Sequence, residues 1–359
     1  MSEKKNESNY YPQLDVFRAL AALSVCAVHF NFNSFFYKNI ANGIFVQLFF
    51  TLSGFVIYLN YYNKINSTNE LLQFLKKRLK RLYPLHLFFL IIFSIIEICK
   101  YYFSAQYNLE ANNKAFSNNN LMNFFLNLFF LQHLSDVHSY NTPSWSISVE
   151  MMLYLSFGFF LFLTKNKIIK IILIYIALFI LFFNNFYGET LGVGAYLSGL
   201  YSFCMGVFAC YIFLNKKNNL NNFYIQIIFL FLFILFIFEI FYLKKLNKNY
   251  YYSILFALII YISCLIEKTS IIKNIIFNKF FIFLGKISYS IYLSHLLIFW
   301  VITQILRFIL KYPTIYKNGK IVLDLSYLEA NLYTFIAYVF TIIFSYFSYK
   351  YIEIKFYKK

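Results

Sequence analysis

Ten apolar stretches constrain this chain more than any other feature. A helix that crosses a bilayer needs about 20 consecutive, mainly apolar residues. In lipid, backbone polar groups must be satisfied within helices or closed barrels. The pattern therefore predicts an all-α integral membrane protein, with about ten transmembrane helices in one polytopic domain over residues 1–359. The stretches cover residues 13–31, 43–61, 84–103, 146–164, 168–186, 193–214, 223–243, 251–266, 281–310 and 330–352.

Basic residues predict the orientation of these helices. The formal net charge is +18, but lysine and arginine cluster between the apolar stretches. They indicate topology and contacts with anionic membrane lipids rather than nucleic acid. We expect cytoplasmic termini: a polar segment 1–12 and a basic tail 353–359, with the basic 62–82 segment on the same side. The lysines of residues 244–248 lie outside in this arrangement, so 223–266 is its weakest part.

A shorter apolar run, 121–134, is interrupted by Asn123 and Asn127. It predicts one short re-entrant or interfacial helix. The five cysteines all lie in apolar stretches, and no cysteine or histidine spacing is typical of a disulfide framework or a metal site. We therefore expect no metal and no permanently bound cofactor.

Arg18 and His29 stand eleven residues apart in the first apolar stretch. On an α-helix this spacing returns to within about 20° of the same face and separates the residues by roughly 16 Å along the axis. Arg18 would then lie near a membrane surface and His29 well inside. Ionisable groups inside a membrane are costly and suggest a function. A structural alternative is that Arg18 snorkels to the headgroups and His29 is hydrogen-bonded within the bundle.

Further residues have both a structural and a functional interpretation. Ser53-Gly54 predicts close helix packing. The cations of residues 76–81 suit a basic loop, with Pro84 in the first turn of the third span. Glu150 lies in an apolar run, where a carboxylate needs a partner or a role, and His295 is either a bundle histidine or part of a site.

Five motifs in this order resemble the membrane-bound acyltransferase 3 family. They are Leu14-Asp15-Val16-Phe17-Arg18-Ala19-Leu20-Ala21 with His29 ten intervening positions later, Ser53-Gly54-Phe55, Arg78-x-x-Arg81-x-Tyr83-Pro84, Trp145-Ser146-x-Ser148-x-Glu150, and Ser288-Tyr289-Ser290-x-Tyr292-Leu293-x-His295.

The resemblance implies a membrane-bound O-acyltransferase of the stand-alone type, without a fused extracytoplasmic hydrolase-like domain. Such an enzyme moves an acyl group, often acetyl, from cytosolic acyl-CoA to a hydroxyl of a cell-envelope carbohydrate or glycolipid, such as O-antigen, lipooligosaccharide or exopolysaccharide. The implied location is the bacterial inner membrane. The partners are acyl-CoA, the acceptor and membrane lipids, and the oligomeric state stays open.

The resemblance also suggests residue roles. His29 is the expected general base, and Glu150 is the carboxylate expected nearest to it, holding the ring. A covalent acyl-histidine is the competing mechanism. The residues expected to contact acyl-CoA are Arg18, Arg78, Arg81 and Tyr83, and those expected to contact substrate are Trp145, Ser148, Tyr292 and His295. The alternative function is a transporter, flippase or polymerase of lipid-linked glycans, with Arg18, His29 and Glu150 along its pathway.

Overall fold

A computed structural model describes residues 10–40, 43–107, 112–134, 139–164, 193–216, 222–242, 249–266, 277–317 and 320–357. Helices dominate these residues, as the sequence predicts. In chain order they are α1 (Pro12–His29), α2 (Phe35–Ile40), α3 (Phe45–Tyr61), α4 (Thr68–Tyr107), α5 (Leu121–Leu128), α6 (Trp145–Leu163), α7 (Val193–Asn215), α8 (Asn222–Tyr242), α9 (Asn249–Leu265), α10 (Lys279–Lys286), α11 (Ser288–Gln304), α12 (Tyr327–Ser348) and α13 (Ile354–Tyr357). Short 3₁₀ turns cover Gln132–Leu134 and Thr142–Ser144, and π-helical turns cover Ile305–Ile309 and Tyr349–Glu353.

Several of these helices are apolar enough to lie in a membrane, which makes this a multi-pass membrane protein. The predicted stretch 168–186 lies outside the described residues, so the total of ten spans stays a prediction. Within the described ranges, five helices have the length and hydropathy to cross a bilayer: Thr68–Tyr107, Thr142–Leu163, Val193–Asn215, Ser288–Ile309 and Tyr327–Phe356. Shorter apolar helices are Phe45–Tyr61, Asn222–Phe238 and Tyr251–Leu265.

The fourth helix departs from the prediction. α4 is one helix of 40 residues with Pro84 in its interior, about 60 Å long, or twice the thickness of the hydrocarbon core. The expected basic loop before residue 84 is therefore wrong. Ser67 and Glu70 explain the early start: Ser67 Oγ accepts from the Glu70 amide at 3.3 Å, and the Glu70 carboxylate accepts from the Ser67 amide at 3.0 Å. This reciprocal cap stabilises the first turn.

The short run 121–134 forms α5 and a 3₁₀ turn. Asn123 and Asn127 are buried against the protein, whereas Leu121 and Met122 are exposed. The main-chain oxygen of Asn127 lies 2.8 Å from Nε2 of His86 in α4. An apolar outer face on so short a helix fits the predicted interfacial or re-entrant element.

A β-hairpin was not predicted. β1 (Thr314–Lys317) pairs antiparallel with β2 (Lys320–Leu323), and the Asn112 side chain bonds both the amide and the carbonyl of Ile321, at 2.8 and 3.0 Å. The signal was in the sequence, since Asn318-Gly319 between two β-branched runs favours a two-residue hairpin turn.

Helices α3 and α7 cross in close contact at two glycines, which confirms the packing interpretation of Ser53-Gly54. A Cβ built on Gly54 would stand 2.0 Å from the carbonyl oxygen of Phe203, and one on Gly206 would stand 1.9 Å from that of Thr51. The two backbones touch, so neither position has room for a side chain.

Two helices end or begin beside the middle of α11. α1 ends at His29, whose ring lies against His295. α6 begins at Trp145, one residue before Ser146, which bonds Tyr292. Non-helical backbone between membrane helices is tolerated where it is buried in protein or lines a polar cavity. The ends of α1 and α6 beside α11 fit this condition.

The first half of α1, the residues around Glu353 and the end of the 62–82 segment lie at one end of the bundle. Arg81 Nη1 lies 3.8 Å from Glu353 Oε1 near the C-terminal end. The Tyr289 hydroxyl donates to the Leu82 carbonyl at 2.7 Å, and Arg18 of α1 shares a cavity with Arg81. Their common side agrees with the predicted topology; its assignment to the cytoplasm stays a prediction.

Cysteine labelling tests that assignment. In a background with the native cysteines replaced, a cysteine at the exposed Asn66 should resist a membrane-impermeant maleimide added outside intact cells, because the basic clusters hold this end in the cytoplasm. Asn113, exposed near the opposite end of α4, is the matched control and should be labelled. The reverse pattern would contradict the orientation.

Candidate functional site

A charged cavity lies between α1, α3, α4, α6 and α11. Three of the residues expected to contact acyl-CoA line it: Arg18, Arg78 and Arg81. Its remaining lining residues include Ser53, Ser146, Glu150, Tyr154, Ser288, Tyr289 and Tyr292. Three arginines and one carboxylate line this cavity, and the guanidinium groups offer hydrogen-bond donors that suit an anionic ligand.

Two of the three arginines are held by carboxylates. Arg18 Nη1 lies 2.7 Å from Asp15 Oδ1, and the other oxygen of Asp15 accepts from the Tyr10 hydroxyl at 2.7 Å. Arg81 faces Glu353 at 3.8 Å, and Ser290 donates to Glu353 at 3.1 Å. These carboxylates orient the guanidinium groups and lower the cost of burying them.

Arg78 has a different environment. Its guanidinium lies over the rings of Tyr61, Phe74 and Tyr154, at 5.4, 5.9 and 5.8 Å from their centres. Nη2 donates to the Tyr61 hydroxyl at 3.2 Å, whereas Nε is buried without a hydrogen-bond partner. Among the described residues, Arg78 forms no ion pair with a carboxylate. Its charge is therefore the least neutralised of the three.

Glu150 faces this cavity. Its carboxylate accepts hydrogen bonds from Ser53 Oγ at 2.8 Å and from the Tyr154 hydroxyl. The hydroxyl oxygens of Ser53 and Tyr154 are themselves 2.7 Å apart. In the part of the chain that the structure describes, Glu150 and His29 share no hydrogen bond or ion pair. The geometry therefore does not support the expectation that Glu150 holds the imidazole of His29.

The neighbour of His29 is His295. Their ring centres are 5.1 Å apart with 42° between the planes. His295 is fully buried. Its Nδ1 lies 3.2 Å from the Ile291 carbonyl oxygen, and its Nε2 has no hydrogen-bond partner. Two predicted site residues from opposite ends of the chain thus form one histidine pair.

Tyr292 joins the histidine pair to the charged cavity. It lines the cavity, and its ring centre is 6.1 Å from that of His295. Its hydroxyl bonds Ser146 Oγ at 2.7 Å and the Pro143 carbonyl at 3.0 Å. Tyr292 therefore lies between the arginine cavity and the histidine pair.

Besides His29 and His295, three expected site residues do not line this cavity. Tyr83 packs edge-on against Phe130 at 5.7 Å. Ser148 donates to the Phe130 carbonyl at 2.7 Å and contacts His133. Trp145 is half-buried at the start of α6. Tyr83 and Ser148 thus hold the segment after α5 in place, and contact with a ligand stays a prediction for all three.

The sequence interpretation missed Asp15, Tyr154 and Glu353. Helix spacing was available for the first two: Asp15 precedes Arg18 by three residues and Tyr154 follows Glu150 by four, so each pair shares a helix face. No local signal links Glu353 to Arg81, because 272 positions separate them.

A second cavity adjoins the first. It is lined by Tyr10, Asp15 and Asn60, and it shares Arg18 and Val56 with the charged cavity. The two cavities meet at the end of the bundle where α1 begins. A ligand that enters from that end would reach Arg18 first.

The fold and the site define a multi-pass membrane protein with a buried charged cavity. Residues 11–350 match the model of the Acyl_transf_3 family, described as an acyltransferase domain. Because the match covers nearly the whole chain, the chain belongs to this family and is a membrane acyltransferase. No curated protein and no solved structure matches it.

Proposed function

We propose that this protein transfers an acyl group, with acetyl the first candidate, from cytosolic acyl-CoA to a hydroxyl of a cell-envelope carbohydrate or glycolipid in the bacterial inner membrane. The observation that carries the proposal is that the three-arginine cavity adjoins the His29–His295 pair through Tyr292, which lines the cavity and packs against His295. Coenzyme A carries a diphosphate and a ribose 3′-phosphate, and the planar fork of arginine suits phosphate groups.

The donor would extend from the arginine cavity to the histidine pair. Its phosphates would contact Arg78, and also Arg18 and Arg81, which line the same cavity. The residues from Arg18 to His29 belong to one continuous helix, so these two residues are roughly 16 Å apart along the axis. An extended pantetheine arm spans about that distance and would bring the thioester to His29.

The chemistry follows from that placement. His29 takes the proton from the acceptor hydroxyl as its oxygen attacks the thioester carbonyl carbon. A carbon–oxygen bond forms and the carbon–sulfur bond breaks, which leaves an acyl ester on the acceptor and a thiolate on coenzyme A. The imidazolium of His29 then returns the proton to the sulfur. Holding both substrates in this geometry replaces a bimolecular encounter by an effectively unimolecular step.

Acyl transfer in membranes tests the function. Membranes that contain the protein, incubated with acetyl-CoA labelled in the acetyl group and a panel of envelope glycans, should yield a labelled glycan whose label is released by mild alkali, as expected of an ester. Membranes with the His29→Ala variant are the matched control. Movement of a lipid-linked glycan across the bilayer, without any label transfer, would support the transporter alternative instead.

Arg78 should dominate donor affinity. Loss of a charge-assisted hydrogen bond costs about 1.5–3 kcal/mol, so Arg78→Ala should weaken acyl-CoA binding by about 10- to 100-fold. Arg78→Lys keeps the charge but loses the planar fork, so it should recover only part of the affinity. Titration calorimetry of the purified protein with acetyl-CoA measures this.

Lys77 provides the control for that measurement. It is exposed next to Arg78 on the same helix and does not line the cavity. Lys77→Ala should therefore leave acyl-CoA affinity within about twofold, since exposed charges contribute little. Equal affinities of the folded Arg78→Ala and Lys77→Ala variants would reduce the basic cluster to a topology signal.

A further inference from the structure

The histidine pair contains a buried nitrogen that the proposed reaction has not yet used. His295 is fully buried in the centre of α11, and its Nε2 has no hydrogen-bond partner. A buried polar atom without a partner costs about 1–3 kcal/mol, and such an atom in a native structure calls for an explanation. Its nearest aromatic neighbours are His29, Tyr292 and Phe30, with ring centres at 5.1, 6.1 and 6.2 Å.

The contact of Nδ1 decides the tautomer of His295. Nδ1 lies 3.2 Å from the carbonyl oxygen of Ile291. A carbonyl oxygen only accepts hydrogen bonds, so Nδ1 carries the proton in this contact. In the neutral ring, Nε2 then carries a lone pair and can accept a hydrogen bond, but it has no donor.

His29 has the right distance to supply that donor. Two imidazoles joined by an N–H···N hydrogen bond of about 3 Å have ring centres about 5 Å apart, because each nitrogen lies about 1 Å from its ring centre. The observed 5.1 Å matches this separation. In the described part of the chain, the His29 side chain makes no hydrogen bond, so its ring is free to turn an N–H toward His295.

We propose that His295 is a positioning residue for His29, which deepens the proposed function and rests on it. Nε2 of His295 accepts a hydrogen bond from one ring nitrogen of His29. This fixes the ring and leaves the other nitrogen as the base. When His29 takes the acceptor proton, the same bond stabilises its imidazolium, and the proton later leaves to the thiolate sulfur. The two hydrogen bonds, from His295 Nδ1 to the Ile291 carbonyl and from His29 to His295 Nε2, thus orient the base, as a carboxylate does in other pairs of a base and an orienting group.

A neutral orienter suits this location. A carboxylate beside His29 would have to be buried in the centre of the bundle, where an ion is costly. The carboxylate of Glu150 instead faces the arginine cavity and bonds Ser53 and Tyr154. His295 supplies an acceptor without adding a charge.

Two substitutions of His295 separate its two nitrogens. Glutamine places an amide oxygen near the position of Nε2, whereas asparagine reaches only as far as Nδ1. His295→Asn should lower kcat by about 10- to 100-fold, because a hydrogen bond to a charged imidazolium is lost, with little change in KM for acetyl-CoA or the glycan. His295→Gln should stay within about fivefold of the native kcat.

A second readout needs no acyl transfer. Diethyl pyrocarbonate acylates neutral imidazole, and peptide mass spectrometry measures its rate at His29. The hydrogen bond makes the free nitrogen of His29 more nucleophilic, so His29 should react faster in the native protein and His295→Gln than in His295→Asn. This comparison decides the pairing even if the protein transfers no acyl group.

Three outcomes would overturn the positioning role. Native kcat together with a native carbethoxylation rate in His295→Asn would leave the proposed function intact but would show that His295 does not hydrogen-bond His29. A higher KM for the glycan in His295→Asn, at unchanged kcat, would mean that Nε2 of His295 binds the glycan instead of His29. Equal losses of kcat in the folded His295→Gln and His295→Asn variants would mean that the imidazole is required for packing rather than for the hydrogen bond that Nε2 accepts.

Discussion

Replacing His29 with alanine should abolish measurable acyl transfer. General-base catalysis contributes about 10²- to 10⁴-fold, and loss of the ring also removes the partner proposed for His295. Acyl-CoA affinity should change little, because His29 does not line the arginine cavity. The free energy of unfolding should fall by about 1–3 kcal/mol, because the buried Nε2 of His295 loses its proposed donor; the ring of His29 itself is only partly buried.

Single-turnover transfer from labelled acetyl-CoA, together with acetyl-CoA titration of the same preparation, measures both quantities. His29→Gln is a useful companion, since it keeps a polar side chain but no base and should be as inactive as alanine. A covalent acyl-histidine would appear as label retained on the native protein after denaturation. A folded His29→Ala protein that transfers at the native rate would remove His29 from the mechanism.

Alanine at Gly206 should strongly destabilise the protein. Its Cβ would stand 1.9 Å from the Thr51 carbonyl oxygen and 2.9 Å from the Phe55 amide nitrogen, so α3 and α7 must separate. Overpacking of this kind costs about 1–3 kcal/mol or more. The shift also displaces Ser53, which bonds Glu150, so activity should fall with stability.

Thermal unfolding of purified protein in one detergent measures this effect, and Gly43 provides the control. A Cβ at Gly43 would meet nothing within 4 Å, so Gly43→Ala should unfold at the native temperature. Gly54→Ala should behave like Gly206→Ala, because its Cβ would stand 2.0 Å from the Phe203 carbonyl oxygen. Equal unfolding temperatures for Gly43→Ala and Gly206→Ala would refute the close crossing.

Local patterns predicted several features correctly. Hydropathy predicted the helical membrane class, and the small-residue step Ser53-Gly54 predicted a close helix contact at that position. Motif resemblance predicted the family, which the match over residues 11–350 confirms. The same local reasoning failed at α4: the basic cluster and Pro84 suggested a loop and a helix start, but Ser67 and Glu70 cap a helix that begins much earlier.

The sequence by itself determined which residues bear charge inside the membrane and which share a helix face, because hydrophobicity and helical periodicity act over a few turns. Arg18, His29 and Glu150 stand out on those grounds. Only the tertiary structure decided their partners. Glu353 lies with Arg81, and His295 with His29, because the packing of helices distant in sequence selects these contacts. No pattern within one helix records which neighbour its polar residues will meet.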